Sequence, residues 1–260
     1  MKIHKVGNIE KGEAKVVRIV HISDTHMRHD QYQESIPDGD ILIHSGDFSA
    51  FSVGRYFGNK ERDRESVIRE INSFFQKLQF KHKVLVAGNH ELSFSDKNKD
   101  FVEEQLTEVI YLQDKSITLE GLNIYGTPWS AKRAVSYARG FAKPRQHLHR
   151  YWDKIPSQTD ILVTHMPPEG ILDLGTKTCA GIRNLFSSND PCNICGDMHE
   201  MNEHWGCKEL KKTIFKRLRP TLHLFGHVHE GNGVTVADGI TFSNAAMKLE
   251  EKINVFDYYL

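Results

Sequence analysis

An α/β fold, with polar side chains gathered at the C-terminal ends of its strands, follows from three features of the sequence. Five short apolar runs each stop at a small set of polar residues: Asp, Asn and His. Two longer segments between them show helical periodicity instead. Glycine stands at the junction in three of the five cases, at Gly46, Gly88 and Gly226. Short apolar runs bounded by such breaks read as buried strands, and open α/β sheets bind ligands at their carboxyl ends.

At 260 residues the chain suits one large α/β domain or two small ones. No repeat or low-complexity linker divides it, so one domain is expected over 1–260. The 34 basic and 34 acidic residues balance, which leaves no charge signal for a nucleic-acid or membrane partner. The composition anomaly is histidine, with 15 residues. Four cysteines, no N-terminal apolar leader and no long apolar stretch point to a soluble, cytoplasmic protein.

Residues 1–15 are polar and glycine-containing and are expected as a flexible arm or an edge strand. Val16–Ser23 is the first confident strand, and it delivers Asp24 and His26, which share one side of extended backbone. A capping aspartate and a surface histidine would give the same pair; four companion strand ends favour metal ligands. Residues 27–39 read as loop, closed by Pro37-Asp38-Gly39. Asp40–Ser45 then leads through Gly46 to Asp47, whose two carboxylate oxygens suit it to bridge two cations. His21 and His44 lie within strands and read as hydrogen-bonded core histidines.

Residues 48–60 form a loop over the site. Arg62–Phe80 is an amphipathic helix with Val67, Ile71, Phe74, Phe75 and Leu78 on its core face. Lys83–Ala87 runs into Gly88-Asn89-His90-Glu91. A second helix is expected over Lys99–Ile110, with Phe101, Val102, Leu106 and Val109 inward and Ser95 or Asp96 as cap. Ile117–Tyr125 reads as a hairpin turning near Glu120-Gly121, and Trp129 as either a pocket wall or core filling. Pro144–Lys154 fits a short helix. Asp160–Thr164 ends in His165, and Pro167-Pro168 forbids further pairing.

Residues 169–206 lack periodicity and form an irregular, cysteine-containing insertion of the kind that shapes binding sites. Cys192 and Cys195 have zinc-knuckle spacing, with Cys179, Cys207, His199 and His204 near. A second, regularly spaced pair is missing, so free thiols are expected in preference to a structural zinc. Lys208–Leu218 is a basic helix stopped by Arg219-Pro220. Thr221–Phe225 runs into Gly226-His227-Val228-His229, and Val234–Ala237, Ile240–Ser243 and Lys252–Tyr258 read as antiparallel strands completing a sheet.

Asp24, His26, Asp47, Asn89, His165, His227 and His229 are thus seven ligand-type side chains on five strand ends, which predicts two divalent cations. Mixed Asp, His and Asn donors suit Mn²⁺ first, with Fe or Zn²⁺ as alternatives. Two such ions about 3.5–4 Å apart clamp the oxygens of an in-line displacement at phosphorus and draw a nucleophile from water. His90 follows Asn89 yet should point elsewhere, to protonate a departing alkoxide or bind a phosphoryl oxygen. Glu91 is expected to orient its ring.

These blocks, Asp24-x-His26, Gly46-Asp47, Gly88-Asn89-His90-Glu91, His165 and Gly226-His227-x-His229, resemble those of calcineurin-like metallophosphoesterases. The resemblance implies a four-layer α/β-β/α sandwich of two mixed sheets flanked by helices. It also implies one cation on Asp24, His26, Asp47 and His229 and another on Asp47, Asn89, His165 and His227. His90 takes the place of the family's catalytic histidine, and Asn89 and His90 contact the phosphoryl group. Gly126-Thr-Pro-Trp129, Thr164-His-Met-Pro-Pro168 and Phe225-Gly-His-Val-His-Glu-Gly231 are similar to the metallophosphoesterase-domain-containing group. That group implies a phosphodiesterase with cyclic nucleotides as leading substrates, a nucleotide sensor of low activity being the alternative. A protein phosphatase fits less well, because no arginine follows in Asp47-Phe48-Ser49-Ala50-Phe51.

Overall fold

Alternation with a period of two decides the architecture. Val17 and Ile19 belong to one core and Val20 and Ile22 to another; Ile41 and Ile43 oppose Leu42, and Ile161 and Val163 oppose Leu162. Strands apolar on both faces must be covered on both. A computed structural model of the chain describes residues 2–8, 15–50, 60–94, 98–133, 136, 138–176, 191–199, 202–249 and 251–260, and in it two six-stranded sheets cover one another.

The first sheet contains β1 (Ile3–Gly7), β2 (Val16–Ile22), β3 (Ile41–His44), β4 (His82–Leu85) and β5 (Ile110–Tyr111). Strands β2 to β5 run parallel and in sequence order. The second sheet contains β6 (Lys115–Leu119) and β7 (Leu122–Thr127), which form a hairpin turned by left-handed Glu120 (φ 55°) and Gly121 (φ 95°). After the short pair β8 (Ser130–Ala131) and β9 (Ala142–Lys143) comes β10 (Ile161–Thr164), parallel to β7. A second short pair, β11 (Leu174–Thr176) and β12 (Asn202–His204), precedes β13 (Leu222–Phe225), β14 (Gly233–Ala237) and β15 (Ile240–Asn244), which complete that sheet. The last strand, β16 (Asn254–Tyr259), returns to the first sheet between β1 and β2.

Between the sheets lie Ile19, Ile41, Ile43, Val84 and Val86 from one side and Ile124, Ile161, Val163, Leu222 and Leu224 from the other. Helices cover the outer faces. On the first sheet α1 (His29–Tyr32) and α2 (Lys60–Gln76) bury His29, Tyr32, Ile71, Phe74 and Phe75, joined by α3 (Lys99–Gln105). On the second, α4 (His149–Trp152) buries Trp152, and α5 (Lys208–Thr213) with its π-helical continuation Ile214–Leu218 buries Leu210, Ile214 and Leu218. Helix, sheet, sheet and helix make the four-layer sandwich.

Several local expectations are corrected. Of the two readings of residues 1–15, arm or edge strand, the edge strand holds: they supply β1, paired in parallel to β16 at the edge of the sheet, and residues 9–14 lie outside the described part. The segment 27–39 contains α1 and a 3-10 turn at Gln33–Ser35. Helix α2 covers Lys60–Gln76, with Leu78 in the turn that follows. Helix α3 stops at Gln105 because Ile110 and Tyr111 pair with β4, a tertiary demand that overrides helical periodicity. Phe101 is 40 % exposed and lies against the Arg64 guanidinium at 4.8 Å. Ser95 and Asp96 lie outside the described residues. The 144–154 helix divides into a 3-10 turn, Arg145–His147, and α4. Trp129 fills core, its Nε1–H donating to the Asp114 carboxylate at 2.9 Å. Strand β16 joins the sheet opposite to the one that β14 and β15 complete.

One aromatic cluster ties the helical layer to the strand ends. Phe48, directly after Asp47, stacks on His29 at 4.4 Å and meets Phe74 at 5.9 Å. Phe74→Ala is therefore expected to lower stability by about 3–5 kcal/mol, the usual cost of emptying a buried aromatic site. Reversible urea denaturation of the two proteins checks this.

Candidate metal centre

All five strand ends converge. From the first sheet, β2 delivers Asp24 and His26, β3 delivers Asp47, and β4 delivers Asn89, His90 and Glu91. From the second, β10 delivers His165 and β13 delivers His227 and His229. Four of these residues adopt left-handed backbone: Asp24 (φ 53°), His26 (46°), Asp47 (55°) and His227 (70°). Such conformations cost about 1–2 kcal/mol each for residues with a Cβ, and they mark a turn held by its surroundings.

The side chains form three overlapping groups, Asp24–His26–His229, His26–Asp47–His90 and Asp47–His165–His227. His26 and Asp47 each occur in two of them and so link the groups, and of the two only the carboxylate has two oxygens to share. His229 Nε2 stands 3.3 Å from Asp24 Oδ1 and 3.1 Å from His26 Nε2. His165 Nε2 stands 3.3 Å from Asp47 Oδ2, 2.9 Å from Asn89 Oδ1 and 3.2 Å from His227 Nδ1. Thus the seven expected ligands are brought together, Asp24, His26 and His229 on one side and Asp47, Asn89, His165 and His227 on the other, with Asp47 and His26 adjacent across the middle.

The donor set fits cations. Asp24 Oδ2 accepts from Ser23 Oγ at 2.6 Å and from the His227 backbone at 2.9 Å, while Oδ1 is buried with no hydrogen-bond donor. His26 Nδ1–H donates to the Ser49 carbonyl at 3.1 Å and His165 Nδ1–H to the Ser45 carbonyl at 3.0 Å. Each imidazole then turns its Nε2 toward the other donors of the centre, and this is how metal-ligating histidines are oriented. Burial holds the His26 imidazole down to about 4 and that of His227 to about 3, so neither carries a proton to relieve the contact. Burial works against ionisation of Asp47, yet His165 and His90 hold its carboxyl well below the usual range. Burial likewise opposes charge on His165, but Asp47 raises it to about 9.

Two site expectations change. His90 does not point away from the cluster: its Nε2 is 3.7 Å from Asp47 Oδ2, and its ring meets His26 edge-on at 4.6 Å. Glu91 does not orient that ring. Its buried carboxylate accepts from the backbone N–H groups of Gly88, Ser49 and Asp47 at 2.5, 2.8 and 3.1 Å, pinning the β3 and β4 turns together. The reason is geometric: the sharp turn aims Glu91 back beneath its own strand end. His21 bonds Ser243 and Ser45, and His44 bonds Thr25, as core histidines do.

Sequence reasoning missed Ser49 and Asn244. Ser49 Oγ donates to the His90 carbonyl at 2.8 Å, and Asn244 Nδ2 donates to the Val228 and Leu172 carbonyls at 2.9 and 3.0 Å, bracing the β13 turn. Ser49 was findable from its place two residues after Asp47; Asn244, on another strand, carries no local signal.

Comparison with known proteins agrees with this geometry. Residues 17–231 match the family described as calcineurin-like phosphoesterase. A UPF0046 protein of Caenorhabditis elegans is 37 % identical over 246 residues, covering 89 % of this chain and 75 % of its own. The human metallophosphoesterase domain-containing protein 1 is 34 % identical over 253 residues, 88 % of this chain; the match spans 66 % of the human protein. The crystal structure of TT1561 of Thermus thermophilus shares the fold, with TM-score 0.53 and 11 % identity over 94 % of this chain and 99 % of that one.

Gly88 has no room for a methyl group: a Cβ there would press on Asp47 Oδ1 and lie 2.7 Å from His165 Cε1. Gly88→Ala is expected to weaken cation binding by about 10–100-fold, as loss of ligand support does. Metal content after dialysis, compared with wild type at equal circular dichroism, tests it.

Proposed function

The chain belongs to the calcineurin-like phosphoesterase family, and we propose that within it the chain is a phosphodiesterase of small substrates, cyclic nucleotides foremost. One observation carries the reading: buried Asp47 belongs to two donor groups, one with His26 and His90 of its own sheet and one with His165 and His227 of the other. Two divalent cations, manganese ahead of iron or zinc, would supply Lewis acidity and a nucleophile drawn from water.

The chain's own residues do the rest. Asp24, His26 and His229 would hold one cation and Asn89, His165 and His227 the other, with Asp47 available to both. Asn89 and His90 stand at the same turn and contact the phosphoryl oxygens. The His90 side chain keeps a share of solvent, 18 % exposed beside buried Asp47. It is placed to give a proton to the departing alkoxide. Glu91 fixes the turn that presents both residues. Equal numbers of acidic and basic side chains favour a small ester over a nucleic acid. No helix among the described residues is long and apolar enough to cross a membrane, and a cytoplasmic location belongs to the same proposal.

Hydrolysis of cyclic nucleotides, a model diester and a model monoester should be followed with Mn²⁺ and after chelation. Diester turnover that requires the cation is expected. Binding of nucleoside monophosphate without turnover would instead make the protein a sensor. His90→Ala should keep both cations and lose about 10²–10⁴-fold in kcat, the range for a positioned acid. Loss of a cation from that variant would make His90 a ligand and remove its acid role.

A further inference from the structure

A second donor cluster lies outside the centre described above. Cys192, Cys195, His199 and His204 bring one ligand atom each to within 4.8 Å of one another. Free thiols were the expectation, because the second pair of donors lacks regular spacing. Pairing of β11 with β12 supplies that pair in space: Leu174 lies opposite His204 and Thr176 opposite Asn202.

The two cysteines sit on a tight turn. The Gly196 N–H donates to the Cys192 carbonyl at 2.8 Å, the Cys192 N–H to the Asp197 carbonyl at 3.0 Å, and Gly196 takes the left-handed φ of 81°. The Ile194 N–H donates to Cys192 Sγ at 3.4 Å. Both histidines are oriented from behind. His204 Nδ1–H donates to Asp173 Oδ1 at 2.6 Å and His199 Nδ1–H to the Asn202 carbonyl at 3.1 Å. Asp173 is itself fixed, accepting from the Gly170 and Gly206 backbones at 3.0 Å each. What remains on both rings is Nε2, buried and without a partner, and the His204 side chain is only 7 % exposed. Two unpartnered Nε2 atoms and two sulfurs therefore converge on one point.

We propose that Cys192, Cys195, His199 and His204 bind a third metal ion, a structural Zn²⁺ in a tetrahedral S₂N₂ site. Thiolate with imidazole favours zinc more strongly than does a set of carboxylate, amide and imidazole, which also suits manganese or iron. The carboxylate behind His204 is the support that such ligands commonly have. The ion would clip the 191–199 turn to β12, and β12 leads directly into Trp205, whose ring lies 5.9 Å from that of His227. Trp205 is also covered by the Arg133 guanidinium, which pairs with Glu203 at 3.3 Å. The zinc thus fastens one wall of the catalytic centre without sharing a ligand with it.

The centre proposed for catalysis contains no sulfur, so cobalt distinguishes the two. Reduced full-length protein is titrated anaerobically with Co²⁺ while thiolate-to-metal charge-transfer absorption is recorded. One equivalent should develop that band, added Zn²⁺ should abolish it, and Asp47→Asn should leave it unchanged. Cys192→Ser with Cys195→Ser should remove it. As a measurement needing no variant, zinc-edge X-ray absorption of the wild-type protein should show two sulfurs at about 2.3 Å and two nitrogens at about 2.0 Å. No charge-transfer band from protein with titratable free thiols, or a zinc shell of nitrogen and oxygen alone, would overturn the proposal. Failure of diester hydrolysis would leave it untouched.

Discussion

Two buried carboxylates facing one another's ligands set the terms for this fold. Asp24 and Asp47 are almost wholly removed from water, and burial of an ion costs on the order of several kcal/mol unless charge and hydrogen bonds compensate. The protein surrounds them with imidazoles rather than guanidinium or ammonium groups. Imidazoles offset charge only when protonated, and burial disfavours that state for His26 and His227. His165, raised to about 9 by Asp47, offsets part of this charge, and divalent cations would offset the rest.

This conflict exists only because the two sheets are pressed together. Asp24, His26, Asp47 and Asn89 come from one sheet, His165, His227 and His229 from the other. Gly46 and Gly88 permit the approach, since a side chain at either would collide with His165. The isoleucine, valine and leucine layer between the sheets is therefore part of the site's construction. Any ligand that binds only the assembled centre stabilises that packing in return. The strained turns at Asp24, His26, Asp47 and His227 are held by the same convergence, with Glu91 and Asn244 as the side chains that pin them.

The insertion stands in a different relation to the centre. Its β11–β12 pair places Trp205 against His227, while Asp173 joins the β12 backbone to the turn after Pro168. Trp205 thereby forms a wall beside the strand-borne donors.

The sequence by itself marked the strands, their order of delivery and the seven side chains that converge at their ends, because period-two apolar runs and Gly-Asp or Gly-Asn-His breaks are local signals. It also marked Glu120-Gly121 as a turn and His21 and His44 as core residues. Where Lys99–Gln105 ends, which way Phe101 faces, and that β16 crosses to the first sheet were decided by pairing partners far away in the chain. The same holds for Glu91, read as a partner of His90 from adjacency but claimed by three backbone N–H groups across the turn. The four donors at Cys192, Cys195, His199 and His204 were visible as letters, yet their convergence was not. A strand pair brings them together, and contacts between distant segments obey packing and hydrogen-bond satisfaction, which spacing along the chain does not encode.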